Sequence, residues 1–331
     1  MKTHNGVLVI AEQNNGDIHK VSYELLGKGR ELCEKLECPL YSLVLGGEGV
    51  NAEELNYHGA DKVFYMKDKC FEVPEEFLFK ENIVRFIEEH KLEVVLIGAT
   101  NFGRSLAPRI AASLRTGLTA DCTDLDIDEE GKLIQVRPAF SNNILAHIKT
   151  ATLPQIATIR YKEFNEGKRD ENKEKNISIL EAYISSNDKI EILNIFKEDE
   201  FDITEAEVVV SGGRGIKKKE DLELLQELAR LLGGHLGASR AIVDAGMIGS
   251  AHQVGYSGNR VKPKVYIACG ISGAPQHIAG MKEAELIIAI NSDSTAPIFN
   301  YANYGYVGDL YEIVPKMIQE LKNDKSRRSS Q

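Results

Sequence analysis

Cysteine is scarce and badly spaced for cluster or metal work. Cys33, Cys38, Cys70, Cys122 and Cys269 contain no C-x-x-C pair and no closely spaced run of the kind that holds an iron–sulfur cluster. An odd, scattered set fits reduced thiols rather than a disulfide framework. Cys33 and Cys38, on and just after an expected helix, read as packing residues before they read as a redox pair. Long apolar runs are missing too: none reaches the roughly 20 residues that span a bilayer. Positive charge is in deficit, and a net charge of −10 argues against a general nucleic-acid binder. GVLVI at 6–10 leaves no room before it for a signal peptide or an arginine-rich transit segment, so a cytoplasmic, prokaryotic protein is expected. There is no G-x-G-x-x-G and no P-loop, which sets aside the ordinary nicotinamide and nucleoside-triphosphate fingerprints.

What is present is an ordinary globular composition, 43% apolar and 27% charged, on a chain of 331 residues that is comfortable for two domains. In the first half, GVLVIAE (6–12), PLYSLVLG (39–46), DKVFYM (61–66) and LEVVLIGAT (92–100) read as buried parallel strands. Helical patterns at 19–36, near 51–58 and near 75–90 separate them, and 101–117 reads as a helix stopped by Gly117. Residues 118–162 turn β-rich. The expected organisation is an α/β domain I at 1–162 with a β-rich extension, then a charge-rich connection at 163–206. A second α/β domain at 207–323 and a flexible tail at 324–331 follow. Each domain is expected on a mostly parallel sheet, the second doubly wound.

Glycine is concentrated: 13 of the chain's 28 lie between Gly212 and Gly280. SGGRG (211–215) follows EVVV, GGHLGASR (233–240) precedes AIVD, CGISGAPQH (269–277) follows KVYIA, and NSDS (291–294) follows LIIAI. With AIVD, KVYIA and LIIAI read as strands, these loops fall on one carboxyl edge of a parallel sheet, where ligands of such sheets bind. Bare backbone and helix starts there suit a pyrophosphate, and Arg214 can add a bidentate contact. Ser239 and Arg240 offer a hydroxyl and a fixed cation. Ser272 can donate, and Gln276–His277 open a helix on the same side. Taken singly, each motif reads as well as a structural turn, a surface arginine or a capping histidine.

Taken in order they resemble the C-terminal domain of the α subunit of electron-transfer flavoproteins. The shared pattern runs SGGRG, GASRA with VDAG, QVGYSG, VYIA, GISGAPQHIAGM, AIN, API and YGYVGDL, and GATNFGRSLAPRIAASLRTGLTADCTDL (98–125) resembles that family's first domain. The resemblance implies FAD as cofactor, with ligands at Arg214, Ser239, Arg240, Gln253, Val254, Gly255, Tyr256, Ser257, Ser272, Gly273, Ala274, Pro275, Gln276, His277, Asn291, Asp309 and Leu310. It implies Arg240 beside the isoalloxazine, Ser257 at flavin N5 and His277 at the pyrimidine edge. Tyr256 stands where common members have glutamine, and Pro275 where they have isoleucine. The implied function is a FAD-carrying α subunit, paired with a β subunit and exchanging electrons with an acyl-CoA dehydrogenase or related flavoenzyme. Use in electron bifurcation with NADH and ferredoxin, as in anaerobes, stays open beside simple transfer. So does a different class, an adenine-nucleotide-binding regulatory or hydrolytic module without redox chemistry.

Overall fold

In the computed structural model, described for residues 5–139, 144–187, 190, 193–194 and 202–328, the chain divides into two compact units at Leu193/Asn194.

The first unit runs β1 (Val7–Ala11), a small hairpin of β2 (Gln13–Asn14) and β3 (Asp17–Ile18), α1 (Lys20–Leu36), β4 (Leu40–Gly46), α2 (Glu53–Tyr57), β5 (Lys62–Lys67), α3 (Glu76–His90), β6 (Val94–Gly98) and α4 (Asn101–Leu114). β7 (Leu118–Cys122), β8 (Asp124–Ile127), β9 (Leu133–Ala139), β10 (Ile144–Ile148), β11 (Gln155–Ile159) and β12 (Ile177–Leu180) complete it. Seven strands form one parallel sheet in the order β12-β5-β4-β1-β6-β11-β7, while β8–β10 form the antiparallel extension. Every residue of β1 and β6 is buried, as continuous apolar runs under helices on both faces require. α4 ends at Leu114 with Arg115 in the left-handed conformation (φ 53°), so Arg115, not Gly117, turns the chain.

The expected connection at 163–206 is not uniform. Its first half returns to the first sheet: β12 pairs in parallel with β5, matching Ile177 with Val63 and Leu180 with Met66. Buried Asn82 then holds Ile184 from both sides. Its Nδ2 donates to the Ile184 carbonyl (2.8 Å) and its Oδ1 accepts the Ile184 N–H (3.1 Å). Apolar ISIL lies just after a polar stretch, and the sheet edge supplies the partner that the local sequence does not announce. Residues 188–189, 191–192 and 195–201 of that connection lie outside the described residues.

The second unit comprises β13 (Val208–Gly212), α5 (Leu222–Leu231), β14 (His235–Ala238), α6 (Arg240–Asp244), β15 (Val265–Cys269), α7 (Pro275–Ile278), β16 (Leu286–Asn291), β17 (Tyr304–Val307) and α8 (Leu310–Arg328). Its five strands are all parallel, in the order β14-β13-β15-β16-β17. One face packs Leu225, Leu228, Val314 and Ile318 from α5 and α8; the other packs Val254, Tyr266, Ile278 and Ile298. AIVD is a correction: it is a helix, and the strand beside β13 is HLGA, on the other side of Ser239. Gly237 lets this strand lie close to its neighbour, since a Cβ there would sit 3.0 Å from Val209 Cγ1. α8 continues through residues 324–328 of the expected tail, and 329–331 lie outside the described residues.

Candidate functional site

Counted in chain order, the second sheet runs 2-1-3-4-5. The chain leaves β13 to one side for β14 and to the other for β15, so a crevice opens at their carboxyl ends, the place where such folds take ligands. There the Gly213 N–H donates to the Cys269 carbonyl (2.9 Å) and the Gly215 N–H to the Gly270 carbonyl (3.1 Å). A Cβ on Gly213 would lie 2.4 Å from the Gly270 oxygen. These glycines therefore serve the approach of two strand ends, and their N–H groups are already spent. This corrects the expectation that SGGRG lends backbone donors to a phosphate at those two positions. Exposed Arg214, between them, is the part of the motif left to reach a ligand.

The next loops are stitched to this edge one after another. The Ser239 N–H donates to the Gly212 carbonyl (2.9 Å), Val254 to Ala238 (2.9 Å) and Tyr256 to the Gln276 carbonyl (2.7 Å). Ser239 stands just before α6 and its hydroxyl makes no capping bond. Arg240 opens that helix, exposed, with Nε 3.2 Å from Asp244 Oδ2 one turn on. Gln253 Nε2 donates to the exposed Ser257 hydroxyl (3.4 Å). Val254 and Gly255 are buried beneath, and the Arg260 guanidinium lies over the exposed Tyr256 ring at 4.6 Å.

On the far side of the crevice, Gly270 (φ 62°) and Gly273 (φ 91°) bend the loop after β15. A Cβ on Gly273 would meet Ile298 N at 2.4 Å, so this turn admits glycine alone. Asn291 braces the same loop: its Nδ2 donates to the Ile271 carbonyl (2.9 Å) and its Oδ1 accepts the Asp293 N–H (3.0 Å). Asp309 accepts the Tyr311 N–H (2.9 Å) and caps α8. Leu310 is buried under Gly215 and Gly270. These three expected ligands therefore build the edge: Asn291 spends both amide atoms on backbone, and Leu310 is core. Ser272, Ala274, Pro275 and Gln276 are exposed along it, with Pro275 at the first position of α7, where its fixed φ suits a helix start.

His277, next in α7, is 6% exposed. Its Nε2 lies 3.0 Å from the Tyr266 hydroxyl, and its Nδ1 is buried without a hydrogen-bond partner. Burial lowers its pKa to about 4, against a smaller opposing pull from the Val254 backbone, so the ring is neutral at pH 7.

An unspent buried ring nitrogen, a free hydroxyl at Ser239, exposed Arg214 and Arg240, and a cleft edge of glycine turns together fit a large anionic cofactor with a polar ring. No group of three or more His, Cys, Asp or Glu residues placed for a metal ion occurs among the described residues. Sequence reasoning missed Asp244, Arg260 and Tyr266. The first was hidden because AIVD was read as a strand, where Arg240 and Asp244 would not share a helix face. Tyr266 was legible only as one more β-former.

The first unit has a switch point of its own, between β1 and β6, and it carries an acid. Thr100 caps α4 by accepting the Gly103 N–H (2.9 Å) and donates its proton to Glu12 Oε2 (2.6 Å). A carboxylate thus occupies the helix N-terminus to which a nucleotide phosphate would go.

Residues 7–185 match the profile of the electron transfer flavoprotein domain, and residues 202–282 that of the electron transfer flavoprotein FAD-binding domain. The chain is 44% identical over 330 residues to the electron transfer flavoprotein subunit alpha of Thermoanaerobacterium thermosaccharolyticum, covering 98% of this chain and 100% of that one. It is 44% identical over 324 residues to protein FixB of Clostridium saccharobutylicum, covering 96% and 97%. The subunit LctC of the lactate dehydrogenase (NAD(+),ferredoxin) of Acetobacterium woodii is 42% identical over 339 residues, covering 99% of this chain and 79% of that one.

Proposed function

Because the chain belongs to the electron transfer flavoprotein family, as an α subunit, we propose that its second unit holds FAD across the β13/β15 crevice and that the protein carries electrons between flavoenzymes. The convergence of SGGRG, GASR, QVGYSG and GISGAPQH on one carboxyl edge, at the point where strand order reverses, carries the reading. FAD, when bound, supplies a ring that can take up electrons singly or in pairs; the protein supplies binding, orientation and electrostatics. In this assignment Arg214 and the 272–274 turn meet the diphosphate. Ser239, Arg240 and Val254–Ser257 flank the ring, and His277 offers a neutral N–H. Tyr256, with Arg260 above it, replaces the family's more common glutamine by an aromatic face at the cleft mouth.

The first unit serves as a scaffold for a β subunit and takes no cofactor of its own. The supporting observation is Glu12, whose charge would repel a phosphate from α4, and the same observation disfavours an adenine-nucleotide module. Partners of the acyl-CoA dehydrogenase class follow from the family. Likeness to a subunit of a lactate dehydrogenase (NAD(+),ferredoxin) supports use in bifurcation with NADH and ferredoxin, the low-potential electrons leaving to a separate protein. No helix among the described residues is long and apolar enough to cross a membrane. All five cysteines are unbridged, which supports a reducing, cytoplasmic setting.

The test is spectroscopic. The chain co-purified with its β subunit should be yellow, with flavin absorbance that bleaches on reduction and returns in air. A folded, colourless heterodimer that takes up no FAD would end the proposal.

A further inference from the structure

Resting on that reading of the site, we propose that Tyr256 is a cofactor-contact residue whose ring stacks on the isoalloxazine, and that Arg260 is the positioning residue that holds it there. Tyr256 stands at the tip of a loop that spans the crevice. At one wall the Val254 N–H donates to the Ala238 carbonyl at the end of β14 (2.9 Å). At the other the Tyr256 N–H donates to the Gln276 carbonyl in α7 (2.7 Å).

Between these anchors the loop closes on itself. The Asn259 N–H donates to the Gln253 carbonyl (2.7 Å) and the Gly255 N–H to the Asn259 carbonyl (3.0 Å), while Asn259 Nδ2 reaches the Ala251 carbonyl (2.7 Å). A Cβ on Gly258 would lie 2.6 Å from the Gln253 oxygen, so the turn has no slack. The chain leaves it pinned as well, with the Val261 N–H donating to the Gly280 carbonyl (2.8 Å). Arg260 issues from between these two fixed points, and its guanidinium carbon lies 4.6 Å from the centroid of the Tyr256 ring. The ring's quadrupole attracts a cation so placed, which fixes the ring's orientation. One face of the phenol is taken, yet the side chain is 58% exposed at the mouth of a ligand crevice. An aromatic ring ordered before the ligand arrives, with one face open, fits a planar ligand at little entropic cost.

The other tyrosines of the second unit are placed elsewhere. Tyr266 is fully buried, and Tyr301, Tyr304 and Tyr306 lie in or just before β17, the sheet edge opposite β14. Tyr311 gives its hydroxyl proton to Asp221 Oδ2 (2.6 Å), at the start of α5. The chain has no tryptophan. Tyr256 is therefore the one readily oxidised ring at the crevice mouth among the described residues of this unit.

The experiment is the fluorescence lifetime of FAD bound to the full chain with its β subunit. A phenol in contact with a photoexcited flavin quenches it by lending an electron that then returns; a phenylalanine ring or an amide does not. Any flavin on the β subunit adds the same component to every variant. Tyr256→Phe keeps a ring to stack, so it should lengthen the lifetime severalfold while holding FAD within about twofold of wild type. Tyr256→Gln should lengthen the lifetime too and hold FAD about two- to tenfold more weakly, the value of one aromatic pair. Arg260→Gln should lengthen it part of the way, and Arg260→Lys, which keeps a cation over the ring, should match wild type. A lifetime unchanged in both Tyr256 variants, with FAD bound, overturns the stacking and leaves the proposed function standing. An Arg260→Gln lifetime equal to that of wild type overturns the positioning role of Arg260. A wild-type heterodimer that takes up no FAD overturns the inference together with the function it rests on.

Discussion

At the scale of single residues, the two arginines of the site separate by what they already touch. Arg240 makes an exposed i,i+4 pair with Asp244, a class of interaction worth about 0.3–0.5 kcal/mol, so an arriving anion can detach it cheaply. Its guanidinium favours negative charge nearby. Arg240→Ala should therefore leave FAD bound and lower the potential for the first electron by tens of millivolts, up to about 60 mV, one factor of ten. Arg214→Ala should instead loosen FAD with less effect on the potential. Potentiometric titration followed in the visible region reads both, and an unmoved potential in Arg240→Ala makes that residue a helix-surface arginine only. Residue identities were legible here because a fixed cation or a hydroxyl beside a glycine turn is visible in sequence. Partners were not. Asp244 and Tyr266 matter through a helix face and a three-dimensional approach that no local pattern states.

At the scale of elements, the strong signals held and the short ones did not. Continuous apolar runs gave β1, β4, β5 and β6, and the amphipathic 222–231 segment gave α5. AIVD failed because four apolar-rich residues cannot distinguish a strand from a helical turn, whereas the real strand, HLGA, carries a glycine and little β-propensity. β12 was invisible because its partner, β5, lies more than a hundred residues earlier. The Asn82 clamp that follows β12 can be measured. Asn82→Ala strands the Ile184 N–H and carbonyl and should cost about 1–3 kcal/mol in urea melts, with faster hydrogen exchange across 177–184. Unchanged exchange there would show that β12 is held by pairing alone.

α1 holds the chain after β11 in a different way. Buried Glu24 accepts the Lys162 N–H (3.1 Å) and the Phe164 N–H (3.5 Å), yet burial raises its pKa to about 7, helped by Glu166. A carboxyl whose folded pKa lies above its unfolded value of about 4.3 favours the folded state when protonated. That contribution is complete below the unfolded pKa and is lost as the pH rises through about 7. From this group alone the first unit should lose up to about 3 kcal/mol between pH 4 and pH 8. Glu24→Gln should flatten the slope and be the more stable protein at pH 8. Equal slopes for variant and wild type in denaturant titrations across that range would contradict the assignment.

For the whole molecule, two parallel sheets each have a switch point, and the same rule of fold gives them opposite fates. In the first unit the crevice is met by the Glu12 carboxylate through Thr100. In the second it is lined by glycine turns, exposed Arg214 and Arg240, and a buried imidazole whose Nδ1 has no hydrogen-bond partner. Two α/β halves could be read from strand and helix spacing, and the ligand-bearing half from its glycines. The boundary could not, because residues 163–187 look like a linker in composition while their contacts belong to the first unit. The claim that only the second crevice takes FAD is tested most directly by hydrogen exchange on the chain with its β subunit, with and without FAD. Added FAD should slow exchange at 254–257 and 272–277 and leave 5–187 of this chain unchanged. Protection confined to the first unit, around Glu12 and Thr100, would contradict the account.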